Sequence, residues 1–129
     1  MNDFSVVMLF LVLLSVASCR MPASHDTDEL VSHFRFEPEA FDSFFGVSRA
    51  QYSLREASVT SLSIVKRSDH GQNALVMTLF ENLYETKGTH KHVWLGDTRD
   101  GTFAPSGIYV GVLQIGSLHF EAVVRVYHR

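Results

Sequence analysis

The chain reads as all-β, a β-sandwich of about seven antiparallel strands, and three observations carry that reading. From Phe34 onward, apolar residues alternate with polar ones more often than they recur at helical spacing. Turn-forming residues break the alternation roughly every eight to fifteen positions, the punctuation of short strands. Once an apolar N-terminal leader is set aside, the remaining length suits one domain, and a sandwich suits it better than a barrel.

The leader runs from Phe4 to Ala17 and is almost wholly apolar. It has the length of a signal-peptide core and is too short to span a bilayer as a helix. It ends Val16-Ala17-Ser18-Cys19, which resembles the lipobox of bacterial lipoproteins, so residues 1–18 are expected to be an excised signal and Cys19 to carry lipid. Met1-Asn2-Asp3 lacks the basic residue usual in such signals, and the competing reading is an ordinary signal peptide with an incidental cysteine. Residues 19–33 form a polar tether, with Pro22, Ser24, Asp26, Thr27 and Asp28, and the domain is expected over 34–129. Within Thr27–Phe34, Leu30, Val31 and Phe34 fall at helical spacing behind a Thr27 or Asp28 cap, which predicts at most one short helical turn.

The strands follow in order. Ala50, Tyr52 and Leu54 share one face of 49–54. Leu62 and Ile64 share one face of 59–65, with Val59 out of phase in the manner of a bulge. Arg55-Glu56-Ala57-Ser58 joins these two segments with a link of hairpin length. Residues 74–80 alternate after the turn-prone stretch Ser68 to Asn73, and 90–95 place His90, His92 and Trp94 together on one face. Trp94 is the expected core anchor. Between Trp94 and Tyr109, Asp100-Gly101 forms a tight reversal and Pro105-Ser106-Gly107 a second turn, a β-arch or hairpin signal. Residues 108–115 and 118–127, split by Gly116-Ser117, form a C-terminal hairpin, with Leu118, Phe120, Ala122, Val124 and Val126 on one face.

The formal charge is −3, and Asp3 is the only charge in residues 1–18, which leaves −2 on the mature chain. Charges are interspersed, with no basic face of the kind nucleic acid requires. A single cysteine excludes an intramolecular disulfide. No cofactor motif is present.

His90 and His92 are the sharpest chemical candidates, because residues i and i+2 on a strand can reach one metal ion. A third ligand such as Glu81, Glu85 or another His would have to come from a neighbouring strand; the plainer reading is a pair of surface or edge histidines beside Lys91. Asp97 and Asp100 can ligate a cation through a loop, or simply hydrogen-bond their own turn. Serine-nucleophile chemistry lacks a Gly-x-Ser-x-Gly elbow. Glu37 and Glu39 share a strand face, with nothing to suggest a cleft. Phe41, Phe44 and Phe45 either close one end of the sandwich or leave one ring exposed to a partner.

Ala50 to Leu54, Glu56-Ala57, Val59 to Val65, and then Trp94, Asp97, Asp100, Gly101, Pro105, Gly107 and Tyr109 in the pattern W-x-G-D-x-x-D-G-x-x-x-P-S-G-I-Y resemble the immunoglobulin-like domain of the FlgD family. The family reads Trp-Asp-Gly where this chain has Trp94-Leu95-Gly96-Asp97. The resemblance implies an immunoglobulin-like or fibronectin-III-like sandwich. In that family it occurs in the flagellar hook-capping scaffold and, more widely, as an accessory module on exported bacterial proteins. The expectation is therefore a non-enzymatic lipoprotein of the cell envelope, anchored to a membrane through lipid and binding a protein partner. A small β-sandwich protease inhibitor acting through an exposed loop is the alternative, and a flagellar hook-assembly accessory protein a further one.

Overall fold

The computed structural model describes residues 29–68 and 71–129; Cys19, the leader and most of the tether lie outside the described residues. Eight strands follow one another: β1 (Val31–Glu37), β2 (Ala40–Asp42), β3 (Ser48–Leu54), β4 (Ser58–Arg67), β5 (Asn73–Glu85), β6 (Gly88–Trp94), β7 (Gly107–Ile115) and β8 (Leu118–Tyr127). They form two sheets, β1-β3-β6 and β2-β8-β7-β4-β5, packed as a β-sandwich. Neighbouring strands pair antiparallel except the short β2, which lies parallel to β8 through Ala40↔Arg125 and Asp42↔Tyr127. The extra strand arises because the chain crosses from one sheet to the other at Glu37-Pro38, a cis peptide, and pairs again immediately.

The alternation read from the sequence sets the core. Ala50, Tyr52, Leu54 and Trp94 from one sheet meet Leu62, Ile64, Tyr109, Leu113, Val124 and Val126 from the other, all buried. The C-terminal hairpin forms in the expected register, Tyr109↔Val124 and Leu113↔Phe120. Phe36 crosses to lie on β7 at Gly111, where a Cβ would sit 2.5 Å from its ring; only glycine leaves the two sheets this close.

Four local expectations are corrected. The described end of the segment expected to make a helical turn enters β1, and the sandwich opens at Val31, ahead of residue 34. Between Ser32 and Arg35, β1 advances three residues while β3 advances two, with His33 at φ 56°. A bulge of that kind turns a strand's period of two locally into three, so Val31 and Phe34 look helical in sequence. The link 55–58 is a crossing between sheets, since β3 and β4 never pair. Its length fits either geometry, and only the pairing distinguishes them. Val59 marks no bulge in β4, whose inward residues Thr60, Leu62 and Ile64 keep strict phase. The bulges lie in its partner, where β5 takes three extra residues against β4. β5 is a sheet edge, and bulges there blunt the row of unpaired backbone groups.

Candidate functional site

The two ends of the sandwich differ in chemistry. At the end where β3 finishes and β5 turns into β6, His90 and His92 point inward from β6 as the alternation required. Opposite them stands Glu85, the last residue of β5 and only 5% exposed. His92 Nε2 donates to Glu85 Oε2 at 2.7 Å, and His90 Nδ1 lies 3.4 Å from the same oxygen. Glu85 Oε1 accepts from the Tyr52 hydroxyl and faces Thr60 Oγ1 at 2.9 Å. Thr60 also stands 3.0 Å from Leu83 O, so one hydroxyl proton serves two acceptors. His90 Nε2 meets Thr86 O at 2.6 Å.

The carboxylate thus joins β3 and β6 of one sheet to β4 and β5 of the other. Burial works against its charge, but hydrogen bonds from Tyr52, His92 and Thr60 outweigh burial and hold its pKa below the ordinary value of 4.5. Burial, reinforced by the hydrogen bond to Glu85 and its charge, pushes the Tyr52 phenol far above the usual tyrosine range. Of the two carboxylates named as candidate third ligands, Glu85 is the one that reaches the histidines; Glu81 is exposed. Among the described residues, no group of three or more His, Cys, Asp or Glu side chains is placed to hold a metal ion. The sequence reading missed Tyr52 and Thr60 as partners. A signal existed for Thr60, a polar residue in phase with Leu62 and Ile64.

The opposite end is built by Trp94 to Tyr109. The chain passes here from β6 to β7 in the other sheet, so the stretch is an arch. Trp94 is fully buried, edge-on to Phe41 at 5.8 Å and to Tyr109 at 5.6 Å, and its Nε1 donates to Asp97 O at 3.0 Å. Gly96 sits beneath at φ 76°, where a Cβ would come within 2.4 Å of the Ser43 Cβ. An Asp97↔Phe103 bridge closes the loop, Ala104 N donates to Gly96 O, and Arg99 N donates to Val76 O of β5. Asp100 and Gly101 form the exposed reversal, where Gly101 N donates to Thr98 O. At the entry to β7 the Tyr109 hydroxyl donates to Pro105 O at 2.5 Å, and Gly107 opens the strand. A tyrosine at a strand start whose hydroxyl bonds the backbone four residues upstream ties down the corner where the chain enters β7. Burial raises the Tyr109 pKa.

Phe41, Phe44 and Phe45 divide the two roles weighed for them. Phe41 is buried and closes the core. Phe44 packs edge-on to Phe103 at 4.6 Å and stacks on His128 at 4.3 Å, while Phe45 is 82% exposed. Below them Ser43 Oγ lies 3.0 Å from His128 Nε2, and Asp42 accepts from Phe44 N at 3.0 Å. The other Asp42 oxygen is buried with no hydrogen bond, 3.7 Å from Arg129 Nε. The carboxylate is directed at the turn and at Arg129, so Asp42, Ser43 and His128 do not make a relay.

No protein-family model, curated protein or solved structure matches this chain.

Proposed function

We propose that the chain is an exported lipoprotein, held at a membrane of the cell envelope by lipid on Cys19, whose single immunoglobulin-like domain of the FlgD type works by binding another protein. The observation that carries the binding role is the aromatic end of the sandwich. Phe45 stands 82% exposed next in the chain to half-exposed Phe44, which packs on half-exposed Phe103. Clustered apolar side chains in a polar surround favour protein contact, and large aromatic anchors contribute most to such contacts. Phe44 is already held between Phe103 and His128, so docking on it costs little rotamer entropy. The tied arch from Trp94 to Tyr109 supports the reading by giving these rings a rigid base.

Two experiments test the two parts. Radiolabelled palmitate incorporation is expected for the wild type and lost in Cys19→Ser; label retained in the variant rejects the anchor. Affinity capture from the native envelope is compared between the wild type and a Phe45→Ser, Phe103→Ser double variant of unchanged thermal midpoint. A partner recovered only by the wild type fits the proposal. The same partner recovered equally by both removes this end as the contact surface.

A further inference from the structure

The strands at the margins of the two sheets are not protected alike. A margin strand presents a row of unpaired N–H and C=O groups, and proteins blunt such rows with bulges, brevity or cover. β1 breaks its register between Ser32 and Arg35, β5 carries three bulges, and β2 is three residues long. β6 has none of these devices. All seven of its residues, Gly88 to Trp94, pair with β3 in unbroken register, and the segment contains no proline. The backbone groups of β6 turned away from β3 meet no backbone partner among the described residues.

The outward side chains select what fits this edge. Thr89, Lys91 and Val93 face outward from β6, and Arg49 and Gln51 stand beside them on β3, in the pairs Arg49↔Val93 and Gln51↔Lys91. Lys91, Arg49 and Gln51 line one shallow concavity that runs on to Glu37 and Pro38. Among the described residues neither Lys91 nor Arg49 has an ion pair, and Glu37 lies toward Arg35 at 3.6 Å. The outer face of this sheet thus sets Arg35, Arg49 and Lys91 against the single carboxylate of Glu37. A lysine in the middle of an open edge disfavours a second copy of the same strand, because the copy's Lys91 would come opposite or diagonal to it. It favours a strand with a carboxylate at that position.

The geometry points to β6 as the docking edge for an extended acidic segment of another protein, added to the three-stranded sheet as a fourth strand. Backbone hydrogen bonds to the free row supply affinity, and aspartate or glutamate at alternate positions, opposite Lys91 with Arg49 behind it on the same face, supplies selection. Half-exposed Val93 offers apolar contact two residues along. Glu85 already holds His90 and His92 from within, so β6 has little left to order when a strand is added. The inference does not rest on the aromatic end as a contact surface.

The test uses the full chain and three synthetic heptapeptides blocked at both ends: Thr-Val-Asp-Val-Asp-Val-Thr, its counterpart with lysine for aspartate, and the aspartate peptide N-methylated at its five inner residues. Fluorescence anisotropy reads binding, and hydrogen exchange followed by mass spectrometry reads its place. The aspartate peptide should bind and slow exchange across residues 88–94, the N-methylated form should not bind, and the lysine form should bind roughly 10-fold more weakly. Lys91→Glu, at an exposed side chain, should weaken the aspartate peptide by roughly 10-fold and reverse the preference, since a cross-strand attraction becomes a repulsion. The Phe45→Ser, Phe103→Ser double variant should bind all three as the wild type does, which separates this edge from the aromatic end. No binding at millimolar peptide, equal binding of the N-methylated form, protection confined to other strands, or an unchanged preference in Lys91→Glu overturns the proposal. Should Lys91→Glu fail to fold, the comparison of the aspartate and N-methylated peptides on the wild type decides.

Discussion

The two ends of this sandwich are closed by opposite means. One is closed by aromatic packing, in which Trp94, Phe41 and Tyr109 meet edge to face and only two polar atoms, Trp94 Nε1 and the Tyr109 hydroxyl, need a backbone acceptor. The other is closed by one buried carboxylate on which four side chains from three strands converge. Apolar packing is non-directional and loses stability by degrees when atoms are removed. A buried polar network depends on every member, since each donor or acceptor left unpaired carries its own desolvation cost. The aromatic end is therefore suited to present a rigid surface, and the clasp to respond to a change of charge.

Substitutions at the two ends should separate along those lines. Trp94→Ala should cost most, about 3–5 kcal/mol, because it empties a fully buried site shared with Phe41 and Tyr109; urea unfolding followed by circular dichroism measures it. Glu85→Ala should follow at about 2–3 kcal/mol, since it leaves the buried Tyr52 hydroxyl without its acceptor and removes the carboxylate that His92 bonds, while Thr60 keeps Leu83 O. If Glu85→Ala were neutral, the clasp would not be a stabilising element. Tyr52→Phe removes one hydrogen bond to a charged acceptor and should cost about 1.5–2 kcal/mol. Phe45→Ala should change stability by less than about 0.5 kcal/mol, because its ring already stands in water. A larger loss would mean that this ring serves folding.

The contrast extends to pH. The folded state lowers the Glu85 pKa, so the stabilisation is fully present above the unfolded value near 4.5 and is lost as pH falls through the lower folded value. The urea midpoint should drop across that acidic window, and Glu85→Gln should flatten the drop. Trp94→Ala should shift the whole curve down without changing its shape.

The core was largely legible, because a period of two exposes each strand's inward face. Ala50, Tyr52 and Leu54 are buried together as read, and so are Ala122, Val124 and Val126. Phase errors came where a bulge intervened. Val31 and Phe34 imitate a helix across the His33 bulge, and the out-of-phase Val59 pointed to an irregularity that belongs to β5. Of the candidate site, His90 and His92 on one face were legible from spacing alone. Their meeting with Tyr52, Thr60 and Glu85 was only partly legible, because those residues lie on three other strands and a strand pattern specifies faces without specifying neighbours.

What the sequence determined by itself was local: alternation assigned faces, Trp94 and Tyr109 bracketed an arch or a hairpin, and the Gly116 turn made a hairpin. These follow from backbone geometry and residue size, which act over a few positions. The tertiary structure alone decided which sheet each strand joined, that residues 55–58 cross between sheets, and that one carboxylate at the end of β5 faces two histidines on β6. Those outcomes depend on closing the sandwich as a whole. Burying both apolar faces at once selects one pairing among several that local pattern permits, and that pairing brings Glu85 to the histidines.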